Sequence, residues 1–158
     1  MDFDKFDKLV DQKKLQNEVD AANDVEYDDV PKGTYIISIQ RMEVKETNAK
    51  DKLMFSVQCK IVETLDASKK QDNRWIFFNR VIYGNRVTER WNDGRAIKGV
   101  LTWLEELTDV KLDFKSYSTF ADDVEDLFED VVKDKIEVQI KYDPEAFNPI
   151  SIQEVFDI

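Results

Sequence analysis

The sequence predicts a mainly β protein with additional helices, of the α+β class. Apolar and polar residues alternate with period two over residues 31–84 and again over residues 136–156, as they do in half-buried strands. Between these two stretches, apolar residues recur at helical spacing. Three strands, a helical block and two strands form the element order of an elaborated OB-fold, a five-stranded antiparallel barrel with a helical insertion between strands three and four. Other five-stranded α+β arrangements fit the same order.

The chain divides into two parts near residue 30. We predict that residues 1–30 are an acidic amphipathic extension and that residues 31–158 are a single OB-like domain, long enough to bury a core. In the extension, Phe3, Phe6 and Val10 follow helical spacing, which predicts an N-terminal helix over residues 2–22. The acidic residues that follow, up to Asp29, are interpreted as a linker.

The first two strands carry clear apolar faces. The residues predicted to point inward are Tyr35, Ile37 and Ile39 in the first strand and Phe55, Val57, Cys59 and Ile61 in the second. Because Cys59 is the only cysteine, an internal disulfide is excluded, which fits a reducing cytosol. No apolar run approaches the roughly 18 residues of a membrane span, and the acidic start is no signal peptide. We therefore expect a cytoplasmic protein.

The third strand, residues 75–83, is apolar on both faces, so its orientation has to be argued from Arg80. Burying an unpaired guanidinium inside a barrel costs several kcal/mol, which favours an outward Arg80. The same parity places Arg74, Ile76, Phe78 and Ile82 outside. It places Trp75, Phe77, Val81 and Tyr83 in the core.

Two helices are predicted after the third strand. The apolar stripe of the first comprises Ile97, Val100, Leu101, Leu104 and Leu107, with Trp103 beside it. The second is predicted to begin at Ser118 or Thr119, either of which can cap it. Its apolar face is Phe120, Val124, Leu127, Phe128 and Val131, and the remaining face is acidic. A fourth strand follows from Ile136, and a fifth from Ile150 with room for a bulge.

The net charge of −11 is distributed unevenly along the chain. Residues 1–30 carry a net charge of −6, residues 31–100 carry +6, and residues 101–158 carry −11. A positive region in an acidic protein can attract a polyanion, because electrostatic steering depends on local potential. The alternative interpretation is that basic residues merely cluster in the strands.

Several classes of enzyme site are excluded by composition. The chain has no histidine, and a single cysteine cannot form a tetrahedral zinc site. No phosphate-binding glycine loop occurs among the four glycines. The segment Asn92-Asp93-Gly94 superficially matches a calcium loop, but Trp91 stands where a carboxylate ligand is required. The acidic face from Asp122 to Asp130 is interpreted as solvated. We therefore expect no catalytic residue, no cofactor and no metal site.

Basic residues interleaved with aromatic residues predict binding of single-stranded nucleic acid, in which cations hold phosphates and rings stack on bases. Phe78 beside Arg80 is the main stacking candidate and Trp91 the second, although either ring could instead be covered by a helix. The full predicted interface comprises Lys45, Lys50, Lys52, Lys60, Arg74, Phe78, Arg80, Arg86, Arg90 and Trp91.

Five segments resemble a family of phage proteins. They are Val30–Tyr35, Met42–Thr47, Phe55–Val57, Trp75–Asn79 and Ile152–Phe156. The family occurs in phages of Gram-positive bacteria and was long catalogued as a domain of unknown function; its members are often described as phage single-stranded DNA-binding proteins. The resemblance implies an OB-fold protein that coats single strands in the host cytoplasm, acts in DNA replication or recombination, and cooperates with a recombinase or helicase loader.

The expected function is therefore non-catalytic single-stranded DNA binding. The alternative is an acidic protein-interaction module that binds a host or phage protein. Residues 101–158 carry a net charge of −11, so such a module could act as a DNA mimic. A homodimer is a further expectation, since an exposed sheet edge or the apolar stripe of the extension could pair with its copy.

Overall fold

A computed structural model of the chain describes residues 13–14 and 29–157. The strands are β1 (Gly33–Glu46), β2 (Leu53–Asp66), β3 (Trp75–Tyr83), β4 (Glu137–Tyr142) and β5 (Ile150–Phe156). Two helices lie between β3 and β4, namely α1 (Asp93–Thr108) and α2 (Tyr117–Lys133). Lys13 and Lys14 are helical; the rest of the predicted N-terminal helix lies outside the described residues. None of the described helices is both long and apolar enough to cross a membrane.

The strands form one antiparallel sheet in the order β3-β2-β1-β4-β5. The predicted strands and the helical insertion after the third are therefore present. The predicted barrel closure is not, because β3 and β5 are the two edges of the described sheet and do not pair. Helix α1 instead contacts both edge strands. Trp103 Nε1 donates a hydrogen bond to the Ile150 carbonyl at 3.2 Å, at the edge of β5 where a neighbouring strand would bond.

A single apolar cluster joins both helices to the inward residues of all five strands. The rings of Phe55, Phe78 and Trp103 meet at its centre, with centroids 5.8–6.2 Å apart. Such ring pairs contribute about 0.5–1.5 kcal/mol each beyond the area that they bury. The predicted apolar stripes of both helices reach this core; Leu101 and Phe128 lie at its margin.

Capping residues set the helix boundaries. Asn92 caps α1 by accepting from the Arg95 N–H at 2.9 Å, and Asp109 ends it in the left-handed conformation. Ser116 caps α2 by accepting from the Thr119 N–H at 3.1 Å. The prediction of a cap at Ser118 or Thr119 is wrong by two or three residues, because Ser116 has the extended backbone that a cap requires.

The predicted orientation of β3 is also wrong. Ile76, Phe78 and Ile82 are buried, and the outward set is Trp75, Phe77 and Tyr83. The argument for an outward Arg80 assumed a closed barrel. In the open sheet, Arg80 points to the core side and reaches the gap between β3 and β5, where it finds partners. The cost of burying an unpaired guanidinium therefore does not arise.

Candidate nucleic-acid interface

Two aromatic rings stand exposed on the face of β3 that points away from the core. Trp75 is 44% exposed and Phe77 is 56% exposed. They are two residues apart on one strand, so they share a face about 6.6–6.8 Å from each other. Large exposed rings in adjacent positions are unusual on a surface that binds nothing, and they mark this face as a candidate site.

The strand register places basic and amide side chains beside both rings. Lys60 on β2 pairs with Trp75, and Ser38 on β1 pairs with Lys60. In the next row, Gln58 pairs with Phe77. Paired residues share a face at about 4.5–5.5 Å between Cβ atoms, so Lys60 and Gln58 are the nearest neighbours of the two rings. We call the surface formed by Trp75, Phe77, Gln58 and Lys60 the outer face.

An irregularity in β1 brings a second cation onto this surface. The register shifts between Ile39 and Arg41, so that Gln40 is the extra residue and Arg41 pairs with Gln58. After the shift, Met42 is buried while Arg41 is exposed. Arg41 contacts the Glu43 carboxylate, which offsets part of its charge. Lys45, two positions beyond Glu43, is half-buried and pairs with Met54.

Three of the predicted interface residues lie near the ends of β2 and β3. Lys50 and Lys52 are exposed in the turn between β1 and β2, which the Thr47 N–H closes by donating to the Lys52 carbonyl at 3.0 Å. Lys50 adopts a left-handed backbone, with φ of 58°. Arg74 precedes Trp75, and its Nη1 donates to Gln71 Oε1 at 2.7 Å. The Arg74 side chain is thus fixed to its own loop at the start of β3.

Phe78, Arg80 and Trp91 lie on the other side of β3 from the outer face. Phe78 is only 5% exposed, so it cannot stack on a base without unfolding the core. The Arg80 guanidinium lies over three rings, with Cζ 4.3 Å from the centroid of Phe147, 5.4 Å from Trp91 and 5.6 Å from Phe78. The predicted pairing of Phe78 with Arg80 as an external stacking site is therefore wrong.

Arg80 is held as a structural cation. Its Nη2 donates to the Phe147 carbonyl at 2.8 Å and to Asn148 Oδ1 at 3.1 Å, which ties β3 to the turn between β4 and β5. Burial lowers the pKa of Arg80 from its usual value. Arginine keeps its proton in proteins, so the side chain is a cation at neutral pH.

Arg86 and Arg90 are exposed on the loop from Gly84 to Asn92. The Asp93 carboxylate anchors this loop by accepting from the N–H groups of Gly84 and Asn85 and from the Asn85 side chain. Burial alone would raise the pKa of Asp93, but these hydrogen bonds outweigh it and hold the pKa below its usual value. Trp91 closes the loop by donating from Nε1 to Asn85 Oδ1 at 3.0 Å.

The predicted residues therefore divide between surfaces. Lys60 belongs to the outer face and Lys45 lies beside it. The other predicted residues lie on loops or toward the core side. Sequence reasoning missed Trp75, Phe77, Gln58 and Arg41. One signal was available: Asn79 shares the parity of Trp75 and Phe77, and a polar residue on that parity indicates the solvent side.

The outer face can hold a polyanion by its cations and flat rings by its aromatic residues. Among residues 13–14 and 29–157, no group of three or more acidic or cysteine side chains is arranged to bind a metal ion. Comparison of the chain with family models, curated proteins and solved structures gives no match.

Proposed function

We propose that this protein binds single-stranded DNA without catalysing a reaction, as an accessory of phage DNA replication or recombination. The observation that carries the proposal is the exposure of Trp75 and Phe77 side by side on a strand, with Lys60 adjacent. Each base stacked on such a ring contributes about 1–3 kcal/mol to binding. Lysine and arginine near the rings release counterions from the phosphates.

The geometry favours a single strand over a duplex. In a duplex, the base faces are stacked on one another at about 3.4 Å and are not available to a protein ring. The two rings here are about twice that distance apart, which suits consecutive bases of a stretched strand. Gln58, between Lys60 and Arg41 on the sheet surface, offers an amide to base edges.

A relationship to the OB-fold is part of the proposal, and it accounts for the position of the outer face. In OB-folds, oligonucleotides bind on the second and third strands. The outer face is centred on β2 and β3. We propose that the sheet is an OB barrel held open between β3 and β5 by α1.

The test is fluorescence anisotropy of labelled oligo-dT, titrated with the wild-type chain and with the double variant Trp75→Ala/Phe77→Ala. We expect the double variant to lose at least about tenfold in affinity, since two stacking contacts are removed. The matched control is Phe147→Ala, which removes an exposed ring in the turn between β4 and β5, away from the outer face. No binding by the wild type at low salt, or equal binding by the double variant, would sink the proposal.

The acidic interaction module remains a second candidate, and helix α2 favours it. The exposed surface of α2 carries Asp122, Glu125, Asp126, Glu129 and Asp130. Charge reversal of Asp122, Asp126 and Glu129 should abolish protein binding under this second function while leaving oligo-dT binding intact or tighter. Pull-down from host extract with the wild type and the reversed variant compares the two functions directly.

A further inference from the structure

A groove of about 380 Å³ lies in the gap between the two sheet edges. Helix α1 forms one wall, and β5 with the preceding turn forms the other. We call it the seam groove; it is lined by Phe78, Arg80, Trp91, Arg95, Ala96, Gly99, Val100, Thr102, Trp103, Glu106, Phe147, Asn148, Ile150, Ser151 and Ile152. The wall from Arg95 to Glu106 is about 16 Å long at 1.5 Å per helical residue, enough for about five residues of extended chain.

The wall formed by β5 is a strand edge that α1 bonds at Ile150 and that no other strand covers. No strand of the described sheet pairs with β5 on the side away from β4. The Ile150 carbonyl points to this side, because it accepts from Trp103 Nε1 across the groove. Main-chain groups alternate in direction along a strand, so the N–H and carbonyl of Ile152 point to the groove as well. A free edge of this kind is a template for one more strand.

Gly99 opens the facing wall at the middle of α1. Glycine is among the least favourable residues for a helix interior. A Cβ added at Gly99 would meet no atom of the protein within 4 Å. The backbone of α1 is therefore open at Gly99, and a chain in the groove can lie directly against it.

The charges and rings of the seam groove define what can lie in it. Arg80 and Arg95 supply positive charge at one end, and Glu106 lies at the other end of the helical wall. Val100 and Trp103 form an apolar floor, and the Phe147 ring is 64% exposed at the rim. A carboxylate at the arginine end and apolar side chains over the floor complement this arrangement.

We propose that the seam groove binds an extended acidic segment of a partner protein, which adds a strand to the free edge of β5. Its main chain pairs with Ile152, its acidic side chains meet Arg80 and Arg95, and an apolar side chain lies against Gly99 and Trp103. A peptide fits better than a nucleic acid, because an unpaired strand edge presents alternating donors and acceptors that only a peptide main chain matches. This site is independent of the outer face.

The experiment selects a displayed library of random peptides on the immobilised full-length chain and measures the selected peptides by fluorescence anisotropy. We expect enrichment of peptides that alternate acidic with apolar residues. Gly99→Leu fills the groove with a good helix former and should weaken these peptides by at least about tenfold. Arg95→Glu should weaken them by a similar factor, about tenfold, through like-charge repulsion.

Lys98 provides matched controls, since it is exposed on α1 and does not line the groove. Lys98→Leu and Lys98→Glu should leave peptide affinity unchanged, and thermal denaturation checks that all four variants fold. Trp75→Ala should also leave peptide affinity unchanged, which separates the seam groove from single-strand binding on the outer face. The proposal is overturned if no peptides are enriched, if the enriched peptides are basic, or if Gly99→Leu binds them as well as the wild type does. Loss of oligo-dT binding by Gly99→Leu would equally overturn it, by assigning the groove to nucleic acid.

Discussion

Neighbouring aromatic residues on β3 have opposite roles, although the sequence places them side by side. Phe77 pairs with Gln58 on the outer face, while Phe78 pairs with Val57 and packs in the core against Phe55 and Trp103. A strand turns successive side chains to opposite faces, so one residue of register decides which ring is available to a ligand.

The contrast between these two rings gives a prediction at the residue scale. Phe78→Ala should lower the free energy of unfolding by about 3–5 kcal/mol, because it leaves a cavity in the core. Phe77→Ala should change that free energy by no more than about 0.5 kcal/mol and should instead weaken oligo-dT binding. Urea denaturation and anisotropy on the same two proteins check both effects; equal destabilisation would contradict the orientation of β3.

The Asp93 carboxylate provides a second prediction at this scale. Its folded-state pKa is depressed, so its contribution to stability is present above the unfolded pKa of about 3.9 and is lost as pH falls through the lower folded value. Asp93→Asn should therefore be less stable than the wild type near neutral pH, and the gap should narrow below about pH 4. Urea denaturation across this pH range measures the difference in the free energy of unfolding between the two proteins. A difference that is constant with pH would contradict the role assigned to the charge.

At the scale of the elements, helix boundaries depend on single capping side chains. Ser116 caps α2 while Ser118, two residues later, lies inside the first turn. Both are serines in a run of hydroxyl residues, so composition alone does not identify the cap. The extended backbone of Ser116 does, because only that conformation aims the hydroxyl at the Thr119 N–H.

Removing this cap should therefore be costly at one position only. Ser116→Ala should lower the free energy of unfolding by about 0.5–2 kcal/mol, since one N–H of the first turn loses its acceptor. Ser118→Ala is the matched control and should change it by no more than about 0.5 kcal/mol. Thermal unfolding followed by circular dichroism compares the two variants. A larger effect at Ser118 would show that the cap is not Ser116.

At the scale of the whole molecule, positive and negative surfaces lie close together. A cleft between β1 and α2 is lined by Arg41 and by the carboxylates of Asp122, Glu125 and Glu129. Arg41 also belongs to the row that crosses β1, β2 and β3 at Phe77. A negative helix beside Arg41 opposes the approach of phosphates to the outer face.

Neutralising that helix should strengthen single-strand binding. The variant Asp122→Asn/Glu125→Gln/Glu129→Gln should bind oligo-dT more tightly at low salt, and the gain should shrink as salt screens the charges. For the wild type, log affinity should fall with log salt at a slope of about −0.7 per neutralised phosphate. Anisotropy titrations across salt concentration measure both quantities; an unchanged or weakened affinity in the variant would contradict repulsion by α2.

The sequence by itself determined the order of the elements and most of their inward residues. Period-two alternation in β1, β2 and β4 and the helical stripe of α1 are local patterns, set by which side chains avoid water. Even the bulge expected in β5 is present, since Gln139 pairs with Glu154 and Ile140 with Ile152. Local patterns suffice where one face is apolar and the other is polar.

Only the tertiary structure decided how β3 is oriented, whether the sheet closes, and where Arg80 finds its partners. Both faces of β3 are apolar, so burial gives no local preference. The Arg80 contacts come from Phe147 and Asn148, about 67 residues away along the chain. Helix α1 packs between β3 and β5 on the core side of the sheet, so Trp75 and Phe77 remain exposed on the outer face. Contacts between distant segments set these features, and the local pattern offers only the parity of Asn79 as an indication of how β3 is oriented.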